Sequence, residues 1–130
     1  MTASYPIVGA KFRPPAQGLL NVLPSGAKLL ARREAANAYD ANAIQVIWLT
    51  RDKCFETAEG LSKLDAAVEG FGSSGRDVLD APEWHLGYIP RTDALTLAPR
   101  MDRANVQTLD GQLTFNAAGQ PRIMLDETSL

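Results

Sequence analysis

Cysteine and histidine are almost absent from this 130-residue chain: each occurs once, as Cys54 and His85. One cysteine excludes an intramolecular disulfide and a cysteine-rich zinc cage, and one histidine gives no basis for a histidine-built metal site. No apolar run approaches the ~18 residues that a membrane helix needs. The opening residues Met-Thr-Ala-Ser-Tyr-Pro lack the basic segment and apolar stretch of a secretory signal. No internal repeat is visible. These absences predict a soluble, cytoplasmic protein with no cofactor, no metal and no membrane contact. What is present is ordinary, with 45% hydrophobic and 22% charged residues. Such a chain is one domain's worth and can bury roughly two-thirds of its unfolded surface. Wholesale disorder, collagen and a coiled-coil rod are excluded.

The formal net charge is −2, which argues against an indiscriminate nucleic-acid binder. The charge is unevenly distributed. In residues 1–39, Lys11, Arg13, Lys28, Arg32 and Arg33 face Glu34 alone, a net +4. In residues 51–83, four cations face eight acids, a net −4. A basic N-terminal third therefore precedes an acidic middle.

Residues 7–13 are rich in β-branched side chains and end at Pro14-Pro15, which predicts a strand with a hard stop. Residues 14–26 hold three prolines and two glycines and read as a loop with one helical turn. Residues 28–33 read as a second strand, 35–42 as an ordered turn of residues that hydrogen-bond their own backbone, and 43–49 as the clearest strand. Residues 51–83 read as an insertion between two strands. Ala58, Leu61, Leu64, Ala67 and Val68 give its first part a helical period, and the glycine-serine stretch 70–75 reads as a mobile loop. A strand is expected over 84–89. A short helix is expected over 93–102, capped by Thr92, with Pro99 shortening its end. Asp110-Gly111 between two apolar runs predicts a two-residue hairpin. A last strand is expected at 122–125 and a frayed tail at 126–130. The fold class is mainly β with short helices (α+β), arranged as a small barrel or curled sheet.

Three segments carry a more specific signal. They are Val8-Gly9-Ala10-Lys11-Phe12, the run from Leu29 to Val46 centred on Arg33-Glu34-Ala35-Ala36-Asn37-Ala38-Tyr39-Asp40-Ala41-Asn42-Ala43-Ile44, and Leu86-Gly87-Tyr88-Ile89-Pro90-Arg91. Together they resemble the HIRAN domain, a small module found at the N-terminus of some SWI2/SNF2-type helicases and alone in bacteria and phages. The family pattern runs Arg-Glu-Pro, then Asn-Pro-Tyr-Asp, then Asn-Ala-Ile. Ala36 and Ala38 stand here where proline is usual, and the insertion 51–83 is longer than the family's hairpin. The resemblance implies a single domain over residues 1–130 with an OB-like β-barrel. It also implies capture of single-stranded DNA by its free 3′ end, as at a stalled replication fork under repair.

The residues at matching positions suit that task. An unpaired base offers a π-face for stacking, worth about 1–3 kcal/mol; the resemblance places Tyr39 and Phe12 in that role. A carboxylate accepts from a 3′ hydroxyl in a charge-assisted bond and repels a 3′ phosphate; Asp40 matches that acid. Lys11 and Arg91 fall at basic positions suited to phosphates, and Tyr88 at a ring-bearing position. The residues alone also allow plainer roles. The segment 37–42 is equally readable as a structural turn with Tyr39 plugging the barrel end. Phe12 and Tyr88 are readable as core, and Lys11 and Arg91 as solvated charges. Trp48 and Trp84 read as packing residues, Gly9 and Gly87 as backbone requirements, and His85 and Cys54 as inert.

No nucleophile elbow, phosphate-binding glycine loop or paired metal-ligand motif is present, so the chain is expected not to be an enzyme. The leading expectation is a non-catalytic module binding the 3′ end of single-stranded DNA. The alternative is a protein-interaction module whose acidic insertion 51–83 docks a partner, as in a phage or mobile-element product acting on a host nucleic-acid enzyme. A hydrolase with an unrecognised site is a third reading.

Overall fold

The computed structural model describes residues 2–130. Six strands form one antiparallel sheet: β1 (Thr2–Pro6), β2 (Lys28–Arg33), β3 (Ile44–Leu49), β4 (Glu83–Tyr88), β5 (Thr108–Phe115) and β6 (Pro121–Asp126), in the order β1-β6-β5-β2-β3-β4. Four helices accompany it: α1 (Pro14–Val22), α2 (Ala58–Glu69), α3 (Gly75–Asp80) and α4 (Arg91–Arg103). Along β2, Leu29, Ala31 and Arg33 are buried while Lys28, Leu30 and Arg32 are not, the period-two alternation of a sheet with one face on a core. Leu29, Trp48, Leu113 and Ile123 share that core with Leu19 of α1, Leu64 of α2, Val78 of α3 and Met101 of α4. Trp48 meets Phe55 edge-on at 5.8 Å, and Trp84 donates from Nε1 to Val78 O at 2.7 Å.

The mixed α+β class holds, but the sheet is open rather than a closed barrel. Its edges approach at one point. Val8, just past edge strand β1, makes an isolated antiparallel bridge to Tyr88 of the opposite edge, β4. Val8 N–H donates to Tyr88 O at 2.9 Å and Tyr88 N–H to Val8 O at 2.8 Å. A Cβ on Gly87 would lie 2.3 Å from Val8 O, so only glycine permits this contact.

Several local expectations are overturned. No strand forms over 7–13: beyond Val8, Gly9 turns at φ 85° into a single 3-10 turn, Ala10–Phe12. Pro14 and Pro15 start α1 instead of stopping a strand; at the first helical positions their missing N–H groups cost nothing. The predicted loop is thus a nine-residue helix, with Ala16, Leu19 and Leu20 buried. Asp110-Gly111 makes no hairpin. β5 runs straight through it, with Gly111 paired to Leu29 on one side and Leu125 on the other. The true hairpin turn is at 116–120, where Asn116 Oδ1 accepts from the N–H groups of Ala118 (3.0 Å) and Gln120 (2.9 Å) and Gly119 adopts φ 78°. α4 begins at Arg91, past Pro90, and Thr92 does not cap it; Pro99 lies inside it. The tail is docked: Glu127, 3% exposed, accepts from Tyr5 Oη at 2.6 Å and Arg100 at 2.9 Å. The segment between β3 and β4 carries two helices, α2 and α3. The stretch 70–75 is a tight link with Gly75 N–H donating to Asp65 at 2.6 Å.

Candidate nucleic-acid interface

The loop between β2 and β3, residues 34–43, is built from the chain outward by side-chain-to-backbone bonds. Asn37 Oδ1 accepts from the N–H of Tyr39 at 2.8 Å and of Asp40 at 3.0 Å, and Asp40 Oδ1 accepts from Asn42 N–H at 2.9 Å. These are nested Asx turns, which replace a backbone turn with short polar side chains. Held this way, the Tyr39 ring projects outward and is 92% exposed. Asp40 Oδ2 is not used by the turn and faces Arg91 Nε at 4.0 Å.

Two supports, the buried Arg33 and the half-buried Glu34, fix the loop from below. Arg33, at the end of β2, donates to Ala43 O and Ala41 O at 3.0 Å each, and its fork also grips Asp102 of α4 at 2.9 and 3.0 Å. The Arg33 guanidinium holds the Asp102 carboxyl below the usual carboxylate range. Glu34, the next residue, accepts from Asn37 Nδ2, from Gln45 Nε2 and from Tyr88 Oη, the last at 3.0 Å. Burial pushes its carboxyl up, but the bonds from Asn37, Tyr88 and Gln45 outweigh that and leave it below its ordinary value. Burial and the Glu34 carboxylate push the Tyr88 phenol up. That hydroxyl stays protonated and donates to Glu34, so Tyr88 serves the site as an apolar wall.

Tyr39, Asp40, Tyr88 and Arg91 converge on one depression of about 360 Å³, with Val8 and Ile89 in its lining. β4 and the start of α4 deliver Tyr88 and Arg91; the β2–β3 loop delivers the other two. No residue of the segment 51–83 lines it. Four of the six expected site residues are therefore brought together. Lys11 and Phe12 are not: they sit on the 3-10 turn beside a second hollow, with Phe12 78% exposed and Lys11 Nζ 5.1 Å from its ring centroid.

The HIRAN domain family model matches residues 2–126. The chain belongs to the HIRAN domain family. A crystal structure of a protein from Lactobacillus plantarum is similar over 96% of this chain and 95% of that one, with a TM-score of 0.56 and 23% identity, a likeness of fold. No curated protein matches.

In this HIRAN domain the pocket combines an open aromatic face, a wall of apolar carbon, one carboxylate oxygen free of the backbone and one exposed guanidinium. The first turn of α4 opens at the same place without a side-chain cap, adding a positive helix end beside Arg91. Arg33, Glu34, Asn37 and Gln45 are the residues that sequence reasoning missed. Asn37, Arg33 and Glu34 stood inside the family pattern, but only the fold shows which partners they hold. His85 is set apart from the pocket, its Nε2 against Gly87 O at 2.7 Å and its ring edge-on to Tyr88 at 4.7 Å. Burial and the charge of Arg13 push its pKa down, so it is a neutral packing group at pH 7.

Proposed function

We propose that this HIRAN domain is a non-catalytic module that binds single-stranded DNA and holds its free 3′ end in the Tyr39 pocket. The observation that carries the reading is a nearly fully exposed Tyr39 ring on a rigid turn, with Asp40 Oδ2 beside it free of any backbone bond. The terminal base stacks on Tyr39 against the Tyr88 wall. The 3′ hydroxyl donates to Asp40 Oδ2, a charge-assisted bond. That displaces only a 4.0 Å pair with an exposed Arg91, and such a pair is worth about 0–1 kcal/mol. Arg91 then turns to a backbone phosphate. A 3′ phosphate would bring two or more negative oxygens against Asp40 and be rejected.

Fluorescence anisotropy with oligonucleotides ending in 3′-OH, 3′-phosphate or a blocked 3′ carbon tests the reading. The 3′-OH strand should bind at least about tenfold tighter than the 3′-phosphate strand, about 1.4 kcal/mol, and Asp40→Asn should narrow that ratio. Equal affinity for all three ends refutes end recognition.

A further inference from the structure

The sheet has a second face, turned away from the core. Lys28, Leu30, Asp110, Gln112, Met124 and Asp126 alternate with inward-facing residues along β2, β5 and β6 and so share that face. Three hollows on it are continuous. The one in the middle, of about 600 Å³, shares Leu30, Leu49 and Arg51 with one neighbour and Asp110 and Asp126 with the other. Of the four helices only α3 lines them, through Leu79. Charge divides along the β5–β2 seam, the middle of the strand order. Lys28 and Arg51 are exposed on the β2–β3 side, Asp110 and Asp126 on the β5–β6 side. Among the described residues no carboxylate pairs with either cation, and no lysine or arginine with either acid. Asp52, beside the cations, is turned to the fold: its Oδ2 accepts from Lys28 N–H at 2.8 Å and from Cys54 Sγ at 3.0 Å. The register that pairs Gly111 with Leu125 sets Asp110 opposite Asp126. Like charges so placed destabilise a sheet on its own, and a cation brought from outside relieves them. The face thus carries an acidic half, a basic half and apolar side chains in each, and each half is the complement of the other.

We propose that this face pairs with a second copy of the chain, two sheets stacking about a two-fold axis that runs along the β5–β2 seam. Such an axis lays the basic half of each copy on the acidic half of the other, the self-complementarity that a two-fold dimer needs, with the strands aligned as in a sandwich. Met124, Gln112 and Lys28 form one row across the sheet, and Leu49 continues it beyond Lys28. The axis therefore brings Met124, 40% exposed, onto the partner's Leu49. Lys28 comes over the partner's Gln112, one pleat of about 7 Å from its Asp110. Six strands about 4.8 Å apart and five or six residues long make a footprint of roughly 450 Å² per chain. That is the scale of a transient pair that separates on dilution. None of the residues lining this face lines the Tyr39 pocket, so both pockets of a dimer stay open. On the end-binding reading a dimer then holds two 3′ ends; the pairing itself does not depend on that reading.

Sedimentation velocity of the full chain without DNA tests it, from about 5 to about 500 μM, the range in which a transient interface assembles. The chain should pass from monomer to dimer across that range, and less so in 1 M salt, where charges are screened beyond about 3 Å. Lys28→Glu and Asp110→Lys should each weaken the dimer at least about tenfold, because each sets like charges face to face. An equal mixture of the two variants should dimerise again, since each reversed charge then meets its complement. All three positions changed here are exposed, and Met124→Glu should weaken the dimer as well; unchanged urea unfolding confirms that the variants fold. A chain that stays monomeric throughout overturns the proposal and leaves the face to a different partner. A dimer indifferent to both reversals, or two reversed chains that stay apart when mixed, overturns it too. Because no DNA is present, each of these results leaves the end-binding reading to its own oligonucleotide test.

Discussion

Glu34 is the most informative single perturbation, because its carboxylate joins three segments that converge on the pocket. It accepts from Asn37 of the loop, Gln45 of β3 and Tyr88 of β4, and Asn37 in turn orients Tyr39 and Asp40. Glu34→Ala removes all three acceptors and frees the Asn37 amide to rotate. A hydrogen bond to a charged group contributes about 1.5–3 kcal/mol when buried; here the groups are only part-buried, so about 1 kcal/mol each is the fitting scale. Binding then has to order a turn that is no longer pre-set, at about 1–2 kcal/mol for each residue that must be re-fixed. The Kd for a 3′-OH strand should rise roughly five- to thirtyfold. Glu34→Gln keeps one carbonyl acceptor for Asn37 and Tyr88 and lets the Gln45 amide turn over, so it should bind within about threefold of wild type. Acid titration adds a second readout. The Glu34 carboxyl is held below its ordinary value of 4.5, so the network's contribution is fully present above that value. It is lost as pH falls through the lower, folded-state value. Glu34→Gln should lack this part of the acid loss. Anisotropy and urea unfolding measured together decide the matter: Glu34→Ala that is less stable yet binds with wild-type affinity refutes the role of Glu34 in presenting the turn.

Two further predictions concern the frame. Gly87→Ala places a methyl 2.3 Å from Val8 O and should break both bonds of the Val8–Tyr88 bridge, at about 2 kcal/mol or more; an unchanged urea midpoint would show that the edges do not meet. Burial, with Asp52 accepting the S–H at 3.0 Å, pushes the Cys54 thiol up to about 12. Alkylation in mildly alkaline buffer should therefore run on the order of a thousandfold slower than for a free cysteine of pKa ~8.5, and a rate like that of glutathione counts against that environment.

What was legible in the sequence divides by the range of the interactions involved. The strands at 28–33 and 44–49 and the helix at 58–69 are set by local periodicity and propensity, and they stand where the pattern put them. Asp110-Gly111 misled because a two-residue hairpin signal says nothing about neighbours. β2, from far along the chain, and β6, across the 116–120 turn, flank this segment and hold it extended. Pro14-Pro15 misled because the same prolines end a strand and begin a helix, and the deciding fact is the burial of Ala16, Leu19 and Leu20. The edge pairing of β1 with β6 spans residues 2–6 and 122–126, and no local pattern reports it.

The candidate site was more legible than the sheet around it because its turn is made within six residues. Asn37 and Asp40 accept from the N–H groups of Tyr39, Asp40 and Asn42, and this short turn, with Asn37 held by Glu34, faces Tyr39 outward. A tyrosine kept for stability would be buried, with its hydroxyl partnered, as Tyr5 is on Glu127. Tyr39 is 92% exposed, and truncating a side chain so placed changes folding stability by no more than about 0.5 kcal/mol. Packing therefore gives no reason for a large aromatic at this position, whereas stacking on an incoming base does. The supports point the same way. Arg33 and Glu34 bring a buried fork and a three-way acceptor to bear on ten residues of loop, more anchoring than a simple connection between two strands requires. The force of that anchoring falls on a ring left open to solvent and a carboxylate oxygen free of any backbone bond.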